Sequence, residues 1–214
     1  MKKIKFIIII FWILFNSSYT HANESFETWK INFYNYAISQ GVSEKTLSLI
    51  INDLRFLPKV IEYDRYQPEF YEDTSTYISK RTNTKKVDIG KKTYKKNTHL
   101  INQVEKKFNI EKELLLSLMG IETNFGKYLG KMDILSSLAT LSYDKRRSEF
   151  FTKELIIALR LIDSKKIKHD ELYGSWAGAF GNFQFMPSTI LSYAIDYNND
   201  DIIDLKSSED SFAS

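Results

Sequence analysis

Glu122 closes the apolar run Leu114-Leu115-Leu116-Ser117-Leu118-Met119-Gly120-Ile121, and the chain turns soon afterwards at Gly126. On a helix advancing about 100° per residue, Glu122 falls between Leu115, Leu118 and Met119, on the face expected to meet the core. A carboxyl group there is costly unless something uses it. Desolvation and the negative end of the helix dipole both favour its neutral form. A carboxylic acid that holds its proton near neutral pH can serve as a general acid.

A second stretch with chemical potential runs from Gly174 to Thr189, as Gly-Ser-Trp-Ala-Gly-Ala-Phe-Gly-Asn-Phe-Gln-Phe-Met-Pro-Ser-Thr. Its three glycines permit positive φ or close approach of backbone to a ligand. Ser175, Asn182 and Gln184 add uncharged hydrogen-bonding groups between aromatic side chains. Pro187 suits a helix start.

The elements that must position these groups are helical. Phe26 to Gln40 reads as a helix ended by Gly41. Ser43 can cap a second one running through Leu47, Ile50, Ile51 and Leu54 until Pro58. Asn109 is placed to cap the helix that carries Glu122. Ile134 to Leu141 is a short apolar helix, and Phe151, Leu155, Ala158, Leu159 and Ile162 recur at helical spacing over 147–163. No sustained period-two alternation appears, so the expected class is mainly α. Residues 73–98 hold Lys80, Arg81, Lys85, Lys86, Lys91, Lys92, Lys95 and Lys96 against Asp73 and Asp88. Such a stretch is either a patch for an anionic polymer or a solvated connector or helix face, and the second reading is preferred.

The N-terminus reads as an export signal over 1–22. Lys2, Lys3 and Lys5 precede the apolar run Phe6 to Phe15, and Thr20-His21-Ala22 offers a cleavage site. That run is short for a bilayer span of about 20 residues. Cysteine is absent, which excludes a disulfide framework and suits a bacterial periplasm or envelope. Removing 1–22 takes away three lysines and no acid, so the rest, with 30 basic and 27 acidic residues in the full chain, is neutral. Export and the lack of aromatics among the lysines argue against a nucleic-acid partner. The expected organisation is a signal over 1–22, an N-terminal helical region with a basic connector over 23–98, and a core over 99–214.

Gly120-Ile121-Glu122-Thr123-Asn124-Phe125-Gly126, Leu138-Ala139-Thr140-Leu141-Ser142-Tyr143, Arg146-Arg147 and the segment from Gly174 to Ser188 resemble the lytic murein transglycosylase B family. Asp64-Arg65-Tyr66-Gln67-Pro68-Glu69-Phe70 is similar to that family's N-terminal motif. The resemblance implies a lysozyme-like helical domain that binds peptidoglycan strands as a monomer in the periplasm or at the cell envelope. It implies cleavage of the β-1,4 bond between N-acetylmuramic acid and N-acetylglucosamine, with Glu122 as the single acid and base and a 1,6-anhydromuramoyl end as product. No cofactor is required. Ser175, Gln184, Asn182, Arg146 and Arg147 are the implied substrate contacts. Most glycosidases use a second carboxylate; Asp133 and Asp144 are near in sequence, but each also suits a helix start or turn.

Three departures stand beside the match. Phe183 replaces a glycine and Phe180 a methionine at the expected glycan groove. Asp196, Asn198 and Asp200 resemble loop positions 1, 3 and 5 of a structural calcium site, yet position 6 is Asp201 and position 12 is Ser207. Calcium and a plain acidic turn are both open readings of that loop. The chain stops at Ser211-Phe212-Ala213-Ser214 where the family continues, so a helix cut at its first turn is expected to leave apolar surface exposed. A remnant that binds glycan without cleaving it is the alternative function.

Overall fold

The computed structural model describes residues 24–66 and 72–214. The export signal expected over 1–22 and residues 67–70 of the upstream motif lie outside the described residues. The described chain is mainly α, as expected. Its helices are α1 (Phe26–Ser39), α2 (Glu44–Ile50), α3 (Pro58–Arg65), α4 (Thr74–Arg81), α5 (Thr84–Lys96), α6 (Thr98–Phe108) and α7 (Lys112–Thr123). After these come α8 (Ile134–Tyr143), α9 (Ser148–Asp163), α10 (Pro187–Tyr193) and α11 (Ser208–Ala213). Two short strands, β1 (Met132–Asp133) and β2 (Tyr173–Gly174), pair antiparallel with Met132 opposite Gly174.

Local capping chemistry sets most helix starts. The side chains of Ser25, Ser43, Asp73, Asn83, Asp133 and Ser207 each accept the backbone N–H three residues on. Gly41, at φ 81°, ends α1 as expected. The helix bearing Glu122 begins differently from the sequence reading. Asn109 adopts φ 52° at the C-terminal end of α6, and Glu111 precedes α7 without a side-chain cap. Asparagine tolerates the left-handed conformation, which serves a helix end as readily as its amide serves a start. α2 also ends at Ile50 rather than running to Pro58, while Leu54 is buried in the following turn.

One core joins α1–α3 to α8–α10, with Leu47, Val60, Leu138, Phe151 and Leu155 at its centre. Every residue of α8 from Ile134 to Ser142 is buried. Two of its hydroxyls tie it to the chain before α3: Ser136 Oγ accepts the Arg55 N–H at 3.1 Å and Thr140 Oγ1 accepts that of Leu57 at 3.0 Å. A second core gathers Ile101, Val104, Leu115, Met119, Phe212 and Ala213 from α6, α7 and α11. The C-terminal helix is itself packed into this core, with Phe212 2% exposed. Phe183 packs edge-on against Phe212 at 5.8 Å and Phe180 is 3% exposed. Both phenylalanines serve cores rather than a groove.

The basic stretch forms α4 and α5, neither of which has a buried residue. Lys80, Lys85, Lys91, Lys92, Lys95 and Lys96 are exposed, which an anionic-polymer patch and a solvated helix face have in common. Lys86 is the exception: its Nζ donates to the Gly120 carbonyl at 2.9 Å and ties α5 to α7.

Asp163, at the end of α9, locks α2 in place. Its Oδ1 accepts Ser43 Oγ at 2.5 Å and Thr46 Oγ1 at 2.7 Å, and its Oδ2 accepts the Ser43 N–H. The Ser43 hydroxyl first, then that of Thr46, hold this carboxyl below its ordinary value of 3.8. A depressed carboxyl stabilises the fold above the unfolded-state pKa and loses that contribution as pH falls through the folded one. Asp163→Asn should cost about 1 kcal/mol near neutral pH. In thermal melts the gap in Tm between parent and variant should close as pH is lowered below 3.8.

Candidate active site

Glu122 lies in the last turn of α7, and the chain then reverses through three successive positive φ angles at Asn124, Phe125 and Gly126. The Asn124 and Phe125 N–H groups both return to the Met119 carbonyl, which closes the helix end. The Phe125 ring folds back against Gly120 of α7. A Cβ at Gly120 would stand 2.8 Å from that ring, so only glycine fits two residues before Glu122. Gly90 of α5 makes room for the same ring at 3.1 Å.

The glutamate does not face the core, contrary to the expectation from the helical wheel. Leu115 and Met119 are buried, but Glu122 and its neighbour Leu118 are exposed. The core-facing stripe is therefore centred on the Met119 and Thr123 side of α7. Enough protein crowds the carboxyl nonetheless that desolvation raises it above its ordinary value of 4.5. Solvent reaches the group, while one flank has lost its water. Among the described residues no cation pairs with it, so no charge opposes the upward shift.

Thr123, the next residue, is fully buried and fastens this turn to the glycine-rich segment. Its hydroxyl donates to the Asn182 carbonyl at 2.8 Å and accepts the Gly126 N–H at 3.0 Å. The Gln184 amide donates to the Leu129 carbonyl at 3.3 Å and to that of Gly181 at 2.9 Å. Gly130 lies against the Gly174 carbonyl so closely that no side chain could be added there. The β1–β2 pair completes the seam. Residues 123–132 and 174–184 thus form one continuous wall beside Glu122.

Ser175 and Gln184 sit half-buried on this wall. Ser175 Oγ accepts the Ala179 N–H at 2.9 Å, which leaves the hydroxyl proton to donate elsewhere. With both Gln184 contacts directed to carbonyls, the amide must point its nitrogen at the protein, and its oxygen becomes the outward acceptor. Gln184 holds φ 52° to do so. The glycines of the segment serve packing rather than ligand approach. A Cβ at Gly178, where φ is 92°, would meet Leu138 at 2.5 Å.

Of the other sequence-predicted contacts, Asn182 is turned into the fold, while Arg146 and Arg147 pair with Asp64 and stay part-exposed. Asn182 is 5% exposed; its amide donates to the Lys206 carbonyl at 3.1 Å and to Ser211 Oγ at 3.1 Å, anchoring α11 instead of meeting solvent. Arg146 and Arg147 both clamp Asp64 of α3, which is 1% exposed. A buried carboxylate attracts whatever cations reach it. The guanidinium of Arg147 also lies 4.8 Å from the Phe151 ring. Asp133 caps α8 and Asp144 pairs with Arg65 at 2.9 Å, so both acids near Glu122 in sequence are engaged.

The acidic loop is closed by a residue that the sequence reading missed. Position 12, Ser207, caps α11, whereas the fully buried Asp210 turns back to accept the N–H groups of Tyr197 at 2.8 Å and Asp204 at 2.8 Å. Its spacing from Asp196 exceeds a 12-residue loop, so no standard register points to it. Asp196 and Asp200 likewise accept loop N–H groups. Asn198 Oδ1 accepts the Asp200 N–H. Among the described residues no group of three or more His, Asp or Glu is placed to hold a metal.

A model of the family described as the transglycosylase SLT domain matches residues 25–214. Membrane-bound lytic murein transglycosylase B of Escherichia coli (strain K12) is 38% identical over 106 residues, 49% of this chain and 29% of that protein. SltB3 from Pseudomonas aeruginosa, solved with NAG-anhNAM-pentapeptide, superposes with a TM-score of 0.84 at 30% identity, covering 89% of this chain and 51% of that one. Escherichia coli Slt35, solved with calcium, superposes with a TM-score of 0.75 at 28% identity, covering 91% of this chain and 62% of that one. The fold is the lysozyme-like one of lytic transglycosylases. The chain spans under a third of the curated relative and about half of SltB3.

Thr123→Val keeps the shape of the side chain but strands the Asn182 carbonyl and the Gly126 N–H. It should cost about 2 kcal/mol, read as a lowered urea midpoint. Thr123→Ser should stay within about 1 kcal/mol of the parent.

Proposed function

The chain belongs to the transglycosylase SLT domain family, and we propose that it is a peptidoglycan lytic transglycosylase that works with Glu122 alone. The observation that carries this reading is a carboxyl raised by desolvation at the end of α7, beside the wall bearing Ser175 and Gln184. In the first step Glu122 donates its proton to the glycosidic oxygen between N-acetylmuramic acid and N-acetylglucosamine. The C1–O bond breaks and the N-acetylglucosamine side leaves as an alcohol. The carboxylate then accepts the proton of the muramoyl C6 hydroxyl as O6 closes onto C1, giving the 1,6-anhydro sugar. The two proton transfers return Glu122 to its starting state, and no water is consumed.

Ser175 and Gln184 support positioning in this scheme. The Ser175 hydroxyl orients either the Glu122 carboxyl or the acetamido group that steadies the cationic C1. The Gln184 oxygen accepts from a sugar hydroxyl or N–H. Arg146 and Arg147 keep α3 against the α8–α9 corner, and their part-exposed guanidinium faces reach anionic lactyl or peptide groups from there. The protein acts on glycan strands at the bacterial envelope as a monomer. The name of the Escherichia coli relative places that protein at a membrane. Among the described residues no helix of this chain is long and apolar enough to cross one.

The test is incubation with purified sacculi followed by mass spectrometry. Anhydromuropeptides should appear and should fall by about 10²–10⁴-fold in Glu122→Gln. Retention of glycan without products would instead identify a binding remnant, and ordinary reducing ends would contradict ring closure. The acid form must be present for the first step, so kcat/KM should decline as pH rises through the raised carboxyl value. The midpoint of that decline should lie above 4.5. A midpoint at or below it would remove Glu122 from the acid role.

A further inference from the structure

On α3, Val60 and Asp64 point inward at 0% and 1% exposure, one helical turn apart. Asp64 is held there by Arg146 and Arg147, which fixes the rotation of the helix. Tyr63 is consequently turned outward, 45% exposed, with its ring 6.5 Å from that of Trp176 and tilted by 46°. Trp176 directly follows Ser175 in a turn closed by the Gly178 N–H on the Ser175 carbonyl at 3.2 Å. It is half-buried and packed against the main core. One ring is thus rigidly seated and the other presented to solvent on a fixed helix. Neither is used by the chemistry described for Glu122.

We propose that Tyr63 and Trp176 form an aromatic ledge that stacks a pyranose ring of the glycan beyond the sugars that flank the scissile bond. A β-1,4-linked N-acetylglucosamine unit carries its polar groups at its rim, leaving flat faces of C–H bonds. Such a face suits an exposed aromatic ring, while the phenol hydroxyl of Tyr63 meets rim hydroxyls. Large aromatic side chains with little rotational freedom make efficient anchors of this kind. The two rings come from α3 and from the glycine-rich segment, so the ledge exists only when both elements are docked. This inference rests on the transglycosylase reading and adds to it a determinant of glycan length.

The experiment measures binding of chito-tetraose (four β-1,4-linked N-acetylglucosamine units) to the full chain by isothermal titration calorimetry, alongside turnover of sacculi. Tyr63→Ala and Tyr63→Leu should each raise Kd by about three- to tenfold, the range expected for one aromatic contact. Tyr63→Phe should stay within about twofold of the parent, because the ring is retained. KM for sacculi should rise in the first two variants with kcat little changed. Binding by Tyr63→Leu equal to that of the parent would overturn the ledge and leave the transglycosylase reading intact. A parent chain that neither binds the tetramer nor releases products from sacculi would remove both. Unchanged circular dichroism for Tyr63→Leu separates loss of the ledge from loss of fold.

Discussion

The Thr123 hydroxyl joins the two pieces of chain on which the candidate chemistry depends. It is fully buried, and it binds the Asn182 carbonyl while receiving the Gly126 N–H. A buried hydroxyl without partners would cost free energy on the order of a lost hydrogen bond, so this joint specifies a single docking of helix end against loop. Glu122 gains its position from its neighbour. The acid is exposed and makes no ion pair among the described residues, so the backbone geometry imposed by Thr123 and the Asn124 to Gly126 turn fixes where it stands.

The same economy explains how the wall reaches as far as α11. Asn182 accepts from Thr123 through its carbonyl and donates to Ser211 and Lys206 through its amide. The last helix therefore bears on the turn after Glu122 through one buried residue. Asp210 performs a similar service for the acidic loop by accepting two of its N–H groups. Polar groups in this region work inside the fold, and satisfying them rigidifies the site.

Charge tells a related story on the other side. Asp64 is almost fully buried and is met by two guanidinium groups, an arrangement in which the charges maintain a helix orientation. What that orientation presents outward is Tyr63. The basic helices α4 and α5 contrast with this, because their lysines stay in solvent and bury nothing. Only Lys86 turns inward, to the carbonyl of the glycine that admits the Phe125 ring.

Much of this architecture was legible in the residues alone. Caps at Ser43 and Asp133, the glycine end of α1, the apolar run of α8 and the amphipathic period of α9 are local properties, governed by contacts within a turn or two. The motifs around Glu122 and Gly174 pointed to the right family for the same reason. Which face of α7 is covered was not local. Leu118 and Glu122 lie on its exposed side because Thr123 and Met119 meet partners about 60 or more residues away, at Asn182 and Phe212. The roles of Arg146, Arg147, Asn182 and Asp210 were equally hidden. A side chain's type states what it can bind, but only the tertiary structure decides whether solvent, substrate or another buried group is there to be bound.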